Sequence, residues 1–378
     1  MCKALTLFFV FMVCIAGCST TPEYPVKAKL FGENIDTTAD SEIAKYYIER
    51  YLNGEKSNQH FDVIIDKLND KYGVGDLNRE TLKKISDDTS VDFASIFLAT
   101  KIMQHPNNRK LQHMFSRYVA QTTNILEIEP TKKNEYLLLF VPGWDYVENG
   151  HITGSDLLVP RQLVSELGFE NYLAEVPANG SVEDIADYLS QDIVKYNQAG
   201  KKIIIVGASS AGPAIHLSLG HLLNQQQTRS IKAWINLGGV LQGIPLIDHF
   251  QSWPQSMLFN AVVWFKDWDK EKIMSMSVIP SRERFKQLSI SDHILIVNYL
   301  PIPLSGQLSQ FSEDKYPLLA TQGPNDGLTL LTDAMAPNSL TIVAMGSDHF
   351  LAEDPNINTK TIALTQTVIA FLETKDAM

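Results

Sequence analysis

From residue 126 to the C terminus, short apolar segments alternate with segments of helical periodicity. The apolar segments are rich in aliphatic and β-branched residues and lie at 136–143, 171–180, 201–207, 230–239, 293–301 and 339–346. Nearly continuous apolar runs are typical of strands that are buried on both faces of a sheet. Strands that alternate with helices form parallel sheets through right-handed crossovers. The pattern therefore predicts an α/β fold, with a mostly parallel sheet and helices on both faces.

The region before residue 126 has a different pattern of apolar residues. Residues 41–125 show helical spacing of apolar side chains, with breaks at 53–54, 73–75 and 105–107. Residues 18–40 carry two prolines and many polar residues, and we interpret them as a tether. The predicted organisation is a tether over 18–40, a helical region over 41–125 and an α/β domain over 126–378.

A segment at about 245–290, called the insertion below, interrupts the alternation. It holds three of the five tryptophans of the chain, at positions 253, 264 and 268. Long insertions in compact domains are often functional. Two interpretations stay open, namely an apolar cap over a substrate pocket and an additional subdomain that packs against the core.

The N terminus has the features of an export signal. Lys3 precedes an apolar segment at 5–15 that is too short to span a bilayer comfortably. The segment ends in Ile15-Ala16-Gly17-Cys18, which resembles the lipobox of bacterial lipoproteins. The resemblance implies removal of residues 1–17 and acylation of Cys18, and the alternative is an ordinary secretory signal.

The expected location follows from this resemblance. Ser19, rather than aspartate, follows the cysteine, which in lipoproteins favours the outer over the inner membrane of the bacterial envelope. The net charge of −11 argues against nucleic-acid binding and against a basic membrane-binding patch. We therefore expect attachment to the membrane through lipid on Cys18.

The stretch GASSAG at 207–212 lies between a predicted strand and a predicted helix. Its small residues let the strand and the helix approach closely, and the helix N terminus favours negative charge. The string V-G-x-S-x-A-G resembles the nucleophile elbow of the α/β-hydrolase family, in lipase-like and esterase-like members. The usual order of strand, glycine, one residue and serine favours Ser209 as the nucleophile. Ser210 stays open because Ala211 replaces the usual glycine.

The resemblance implies a base and an acid, in the chain order serine, carboxylate, histidine. His349 in GSDHF follows the last predicted strand, where the family places its base. Asp326 in PNDG follows the preceding strand pattern and is the expected acid. Asp333 is a rival on a predicted helix, and Asp348 is too close in sequence to face the ring of His349 easily.

The same resemblance implies two backbone donors for an oxyanion. One is the N–H of Ser210, directly after the nucleophile, and the other is the N–H of Trp144 in the stretch FVPGWDY. Pro142-Gly143 takes the place of the His-Gly that many relatives have. We interpret Asp145 as a solvated loop residue.

The sequence contains no metal-ligand spacing and no glycine-rich nucleotide motif, so no metal and no cofactor are expected. The resemblance implies a serine hydrolase that acts on carboxylic esters, including lipid esters. Two alternatives stay open, an amidase or peptidase on the same fold and a hydrolase-like lipoprotein that has lost catalysis and binds a partner.

Overall fold

A computed structural model describes residues 24–121, 130–197 and 200–376 of the chain. The predicted signal peptide and Cys18 lie outside these ranges. The strands are β1 (Tyr24–Leu30), β2 (Glu33–Ala39), β3 (Tyr136–Val141), β4 (Glu170–Leu173), β5 (Lys202–Ala208), β6 (Ile231–Leu237), β7 (Leu295–Ile302) and β8 (Leu340–Met345).

The helices fall into three groups along the chain. Before the sheet come α1 (Glu42–Glu49), α2 (Gln59–Lys71), α3 (Arg79–Asp88), α4 (Val91–Ile102), α5 (Pro106–Gln121) and α6 (Pro130–Glu135). Between the first strands of the sheet lie α7 (Gly150–Thr153), α8 (Leu158–Glu166), α9 (Val182–Asn197) and α10 (Ala211–Leu217). The insertion and the C-terminal part contain α11 (Pro245–Gln251), α12 (Gln255–Phe265), α13 (Lys270–Met274), α14 (Val278–Lys286), α15 (Tyr316–Ala320) and α16 (Ile357–Asp376). In the described part of the chain, no helix is both long enough and apolar enough to cross a bilayer.

A six-stranded parallel sheet forms the centre of the molecule, in the order β4-β3-β5-β6-β7-β8. The predicted α/β class with a mostly parallel sheet is confirmed. The register aligns the strand ends, since Ala208 lies opposite Leu237, which lies opposite Tyr299. Because all six strands run the same way, the loops that follow them meet at one edge of the sheet.

Alternate residues of each strand enter different cores. Ile203 and Ile205 face one side, where they pack with helices α9 and α10 and with the insertion. Ile204 and Val206 face the other side, where they pack with α5, α8 and α16. Both faces of the sheet are therefore covered, which explains why its strands read as continuous apolar runs.

The tether predicted for residues 18–40 is wrong where the structure describes it. Residues 24–39 form the antiparallel hairpin β1–β2, whose turn at Phe31-Gly32 has positive φ angles of 52° and 97°. Every buried apolar side chain of the hairpin packs into one core with α1–α4 and the ends of β7 and β8. Pro25 is compatible with a strand because β1 is an edge strand, where a missing N–H is tolerated.

A buried carboxylate joins the hairpin and the helical region to the sheet. Asp92, at the start of α4, accepts hydrogen bonds from the N–H of Asp40 at 2.8 Å and from the N–H of Ser305 at 3.0 Å. The hydroxyl of Tyr316 also donates to it, at 3.3 Å. Complete burial raises the pKa of Asp92 to about 7, with a further contribution from the negative charge of Asp40. The helical region is thus attached to the α/β domain through buried polar contacts.

Helix α5 covers the open edge of the sheet at β8. The side-chain amide of Gln112 donates to the carbonyl of Val343 at 3.2 Å and accepts from the N–H of Val343 at 2.8 Å. Asn108 accepts from the N–H of Thr341 at 3.0 Å. Exposed strand edges invite pairing with other chains, and these two side chains take the place of a further strand. This contact gives the helical region a structural role.

Replacing Gln112 with alanine should lower the free energy of unfolding by about 2–4 kcal/mol, since it leaves two buried backbone groups of Val343 without partners. Urea denaturation of the purified protein measures the change. His113→Ala is the matched control, because His113 is exposed on the same helix and should change stability little. Equal stability of the two variants would contradict the role of Gln112.

Candidate active site

A sharp turn between β5 and α10 holds Ser209 in a left-handed conformation, with φ of 54°. This region of φ is strained for a residue other than glycine, so the surrounding contacts must hold it. The N–H of Ser209 donates to the carbonyl of Leu237 at 3.1 Å. Its own carbonyl accepts from the N–H of Gly212 at 3.0 Å and of Val240 at 3.2 Å. The turn therefore presents the hydroxyl of Ser209 beyond the carboxyl end of the sheet.

Two glycines allow the close packing that this turn needs. Gly207 lies just before the turn, and Gly143 lies in the neighbouring loop after β3. A Cβ atom on Gly207 would lie 2.1 Å from Cδ1 of Ile215 in α10, so a side chain there would require Ile215 to move. A Cβ atom on Gly143 would lie 3.2 Å from Cβ of Ser155, closer than nearly all such contacts. The small residues noted in the sequence are thus explained by contact distances.

His349 lies in the loop after β8, and both of its ring nitrogens have partners. Its Nε2 is 2.9 Å from Oγ of Ser209, and its Nδ1 is 2.9 Å from Oδ2 of Asp326. The buried carboxylate of Asp326 favours the tautomer of His349 in which Nδ1 carries the proton. Nε2 can then accept the proton of the serine hydroxyl.

Hydrogen bonds hold both the carboxylate and the backbone of Asp326 in place. It is completely buried, and its Oδ1 accepts from the N–H of Leu328 at 2.9 Å and of Thr329 at 2.8 Å. Its backbone carbonyl accepts from the N–H of His349 at 2.7 Å. Only Oδ2 is directed to the imidazole. The loop that carries Asp326 therefore sets the orientation of the His349 ring through two contacts, one with Nδ1 and one with the backbone N–H.

The rival residues have other partners. Asp333 accepts from Nε of Arg79 at 3.2 Å and from Nη2 of Arg282 at 3.3 Å, and it joins the helical region to the insertion. Asp348 accepts from the backbone of the neighbouring loops. The Ser210 side chain is buried, and its Oγ has no hydrogen-bond partner in the described ranges. Of the candidates, the structure brings together Ser209, His349 and Asp326.

The two expected oxyanion donors remain free. The N–H groups of Gly143 and Asp145 donate to the carbonyls of Ser155 and Ala178, at 2.9 and 3.0 Å. The N–H of Trp144, between them, donates to no group in the described part of the chain, and the same holds for the N–H of Ser210. Free, fixed donors of this kind are suited to a developing negative charge.

The interpretation of Asp145 as a solvated residue is wrong. It is 7% exposed and has a positive φ of 57°, and its Oδ2 accepts from the amide of Asn149. Burial raises the pKa of this carboxyl above its ordinary value. The conformation of Asp145 lets the chain turn back at once after Trp144. The sequence analysis missed this burial, because an aspartate in a short loop after a strand is ordinarily solvated.

No protein-family model and no curated protein sequence matches the chain. Solved structures do match it. The carboxyl esterase MGS0156, of metagenomic origin, has a TM-score of 0.53 and 16% identity, over 66% of this chain and 78% of that one. The chain has the α/β-hydrolase fold.

Two further solved structures are less similar to the chain. The Bacillus licheniformis lipase BlEst2, in its mature form, has a TM-score of 0.47 and 15% identity, over 66% of this chain and 95% of that one. Lipase 1 from Pelosinus fermentans has a TM-score of 0.43 and 12% identity, over 65% of this chain and 99% of that one.

A cavity of about 630 Å³ opens beside Ser209. Its walls come chiefly from residues 150–160 and 349–365, with apolar side chains at Ile152, Leu158, Val159, Leu351 and Leu364. Apart from His349, the sequence analysis singled out no residue of these segments, because short helices joined by turns show no long periodic pattern. Among the described residues, no group of three or more metal-ligating side chains is placed to hold an ion.

The insertion contributes no residue to the lining of this cavity, so the predicted cap does not form its wall. Val263, Ile273 and Met276 pack instead into the core on the α9–α10 face of the sheet. Trp268 stands edge-on to Trp144, with ring centroids 6.2 Å apart. The insertion therefore lies beside the site, and most of its buried apolar residues serve packing.

A fluorophosphonate probe should label Ser209 and leave Ser210 unmodified, because only Ser209 is hydrogen-bonded to an imidazole. Mass spectrometry of the labelled protein with fragmentation identifies the modified residue. Ser209→Ala should abolish labelling, and Ser210→Ala is the matched control that should retain it. Labelling that persists in folded Ser209→Ala protein would contradict this assignment.

Proposed function

We propose that the protein is a serine hydrolase that cleaves carboxylic esters through an acyl-enzyme. The observation that carries this proposal is the hydrogen-bonded chain from Ser209 through His349 to Asp326, which starts on a strained turn. A serine hydroxyl is a weak nucleophile at neutral pH without such a base. The name of the structurally similar carboxyl esterase MGS0156 agrees with this reaction class.

In the proposed first step, Oγ of Ser209 attacks the ester carbonyl carbon and its proton passes to Nε2 of His349. Asp326 stabilises the resulting imidazolium through Nδ1. The carbonyl oxygen becomes negatively charged and accepts hydrogen bonds from the N–H groups of Trp144 and Ser210. The intermediate collapses, and the alcohol leaves with the proton of His349. The acyl group then remains on Ser209.

The second step regenerates the enzyme. A water molecule gives its proton to Nε2 of His349 and attacks the carbonyl carbon of the acyl-enzyme. The same two N–H groups stabilise the second oxyanion. Collapse releases the carboxylic acid and returns the proton to Oγ of Ser209. The apolar walls of the cavity suit an aliphatic acyl chain, which supports a lipid-like ester as substrate.

Turnover of p-nitrophenyl esters should fall by about three orders of magnitude or more in His349→Ala, because the loss of the base removes the activation of Ser209. His221→Ala is the matched control, since His221 is exposed and lies outside the site. The assay covers acyl chains from acetyl to dodecanoyl and the matching p-nitroanilides. A loss of only a few fold would contradict the role of His349, and faster turnover of the anilides would favour an amidase.

We also propose that the mature protein is held in the bacterial envelope, at the outer membrane, by lipid on Cys18. The proposal rests on the lipobox-like sequence Ile15-Ala16-Gly17-Cys18 and on Ser19 after it. An acylated N terminus would keep an acidic protein at a membrane without a basic patch.

Mass spectrometry of the protein from a bacterial host tests the anchor. We expect a chain that begins at Cys18 and carries acyl groups there, since the lipobox directs cleavage before the modified cysteine. Cys18→Ser should retain residues 1–17, and Ser19→Asp should move the protein from the outer to the inner membrane fraction. A chain cleaved at another position without lipid would show an ordinary secretory signal.

A further inference from the structure

Helix α12 presents an apolar surface to solvent. Met257 and Trp264 are 71% and 83% exposed, and Trp253, just before the helix, is 81% exposed. Met257, Ala261 and Trp264 follow the spacing i, i+4, i+7 and so form one stripe along the helix. We call Trp253, Met257, Ala261 and Trp264 the tryptophan face. The solvent-facing side of a helix is ordinarily polar, so this face requires a partner.

The helix that carries this face is firmly placed. On its other side Val263 is buried, and Phe259 packs against the core. The tryptophan face therefore lies opposite the side of α12 that packs against the core. Both sides of α12 are apolar, and one of them has no partner in the described part of the chain.

The segment that follows α12 contacts the loop that carries Trp144. Nζ of Lys266, at the end of α12, is 3.4 Å from a carboxylate oxygen of Glu148. Trp268 packs edge-on against Trp144, which lines the cavity beside Ser209. Val147, next to Glu148, is 68% exposed. Exposed apolar side chains thus precede Lys266 in α12 and Glu148 in the loop after β3.

We propose that the tryptophan face docks onto the surface of a lipid bilayer. Tryptophan is enriched at the interface of membranes, where its ring is buried and its N–H stays hydrated. The choice of a bilayer rests on the proposed lipid anchor. Cys18 precedes Tyr24, the first described residue, by six positions, a reach of about 20 Å at most. Such an anchor would keep the folded body beside the membrane, with the tryptophan face available for contact.

Docking of this kind would orient the catalytic edge of the molecule. With the tryptophan face at the bilayer, the 144–148 loop and the cavity mouth next to it come close to the lipid. An ester group at the membrane surface could then reach Ser209 without leaving its lipid environment completely. The contact is apolar, so we expect it to be insensitive to salt.

Vesicle flotation tests the proposal without any measurement of turnover. The experiment uses the chain from Ser19 onward, which keeps every described residue and lacks both the signal and the lipid. The vesicles consist of zwitterionic phosphatidylcholine and phosphatidylethanolamine. We expect this chain to float with the vesicles at both low and high salt. In the double variant W253A/W264A, the affinity for the vesicles should fall by roughly tenfold or more, because two large apolar groups are removed.

Tyr188→Ala is the matched control, since Tyr188 is an aromatic residue 53% exposed on α9 and should leave binding unchanged. Thermal unfolding and hydrolysis of a short soluble ester should be equal in all variants, because neither tryptophan lies in the site. Equal flotation of W253A/W264A and the parent would overturn the proposal. So would a parent that is dimeric in solution and becomes monomeric in the double variant, since the face would then bind a second copy. Failure of the esterase assay alone would affect only the proposed function.

Discussion

The parallel alignment of strands β5 to β8 is the constraint on which the rest of the structure depends. Ser209, Asp326 and His349 are far apart in sequence, yet each lies in a loop that follows the carboxyl end of this part of the sheet. Parallel strands bring such loops to one edge, and the packing of both faces of the sheet holds them there. The strained φ of Ser209 persists because the strand before it and the helix after it are both fixed by core packing.

The same sheet has an open edge at β8, which explains the place of the helical region. Gln112 supplies to Val343 the hydrogen bonds that a seventh strand would supply. Asp92 then joins the hairpin, α4 and the segment after β7 within one buried polar cluster. Residues 24–121 therefore complete the fold rather than stand beside it. A region without a catalytic residue still acts on the site, because it stabilises the strand that precedes the His349 loop.

The composition of the insertion is compatible with two different roles. Its aromatic residues fit both a cap and a packing subdomain, because both burial and binding use the same side chains. In the structure Val263 faces the core, whereas Trp253 and Trp264 face solvent. The wall of the cavity comes chiefly from residues 150–160 and 349–365 instead. The cavity and the tryptophan face are thus separate features of the structure.

The sequence by itself determined the fold class, since continuous apolar strands that alternate with helices have few other solutions. It also indicated the candidate residues, because the serine turn, the acid loop and the histidine loop each follow an apolar strand. Contact distances decided what local patterns could not, namely that Ser209 rather than Ser210 meets His349. The burial of Asp145, the hairpin at 24–39 and the identity of the cavity wall also came only from tertiary structure. Each of these depends on which distant segments pack together, and a sequence pattern reports only the periodicity of its own segment.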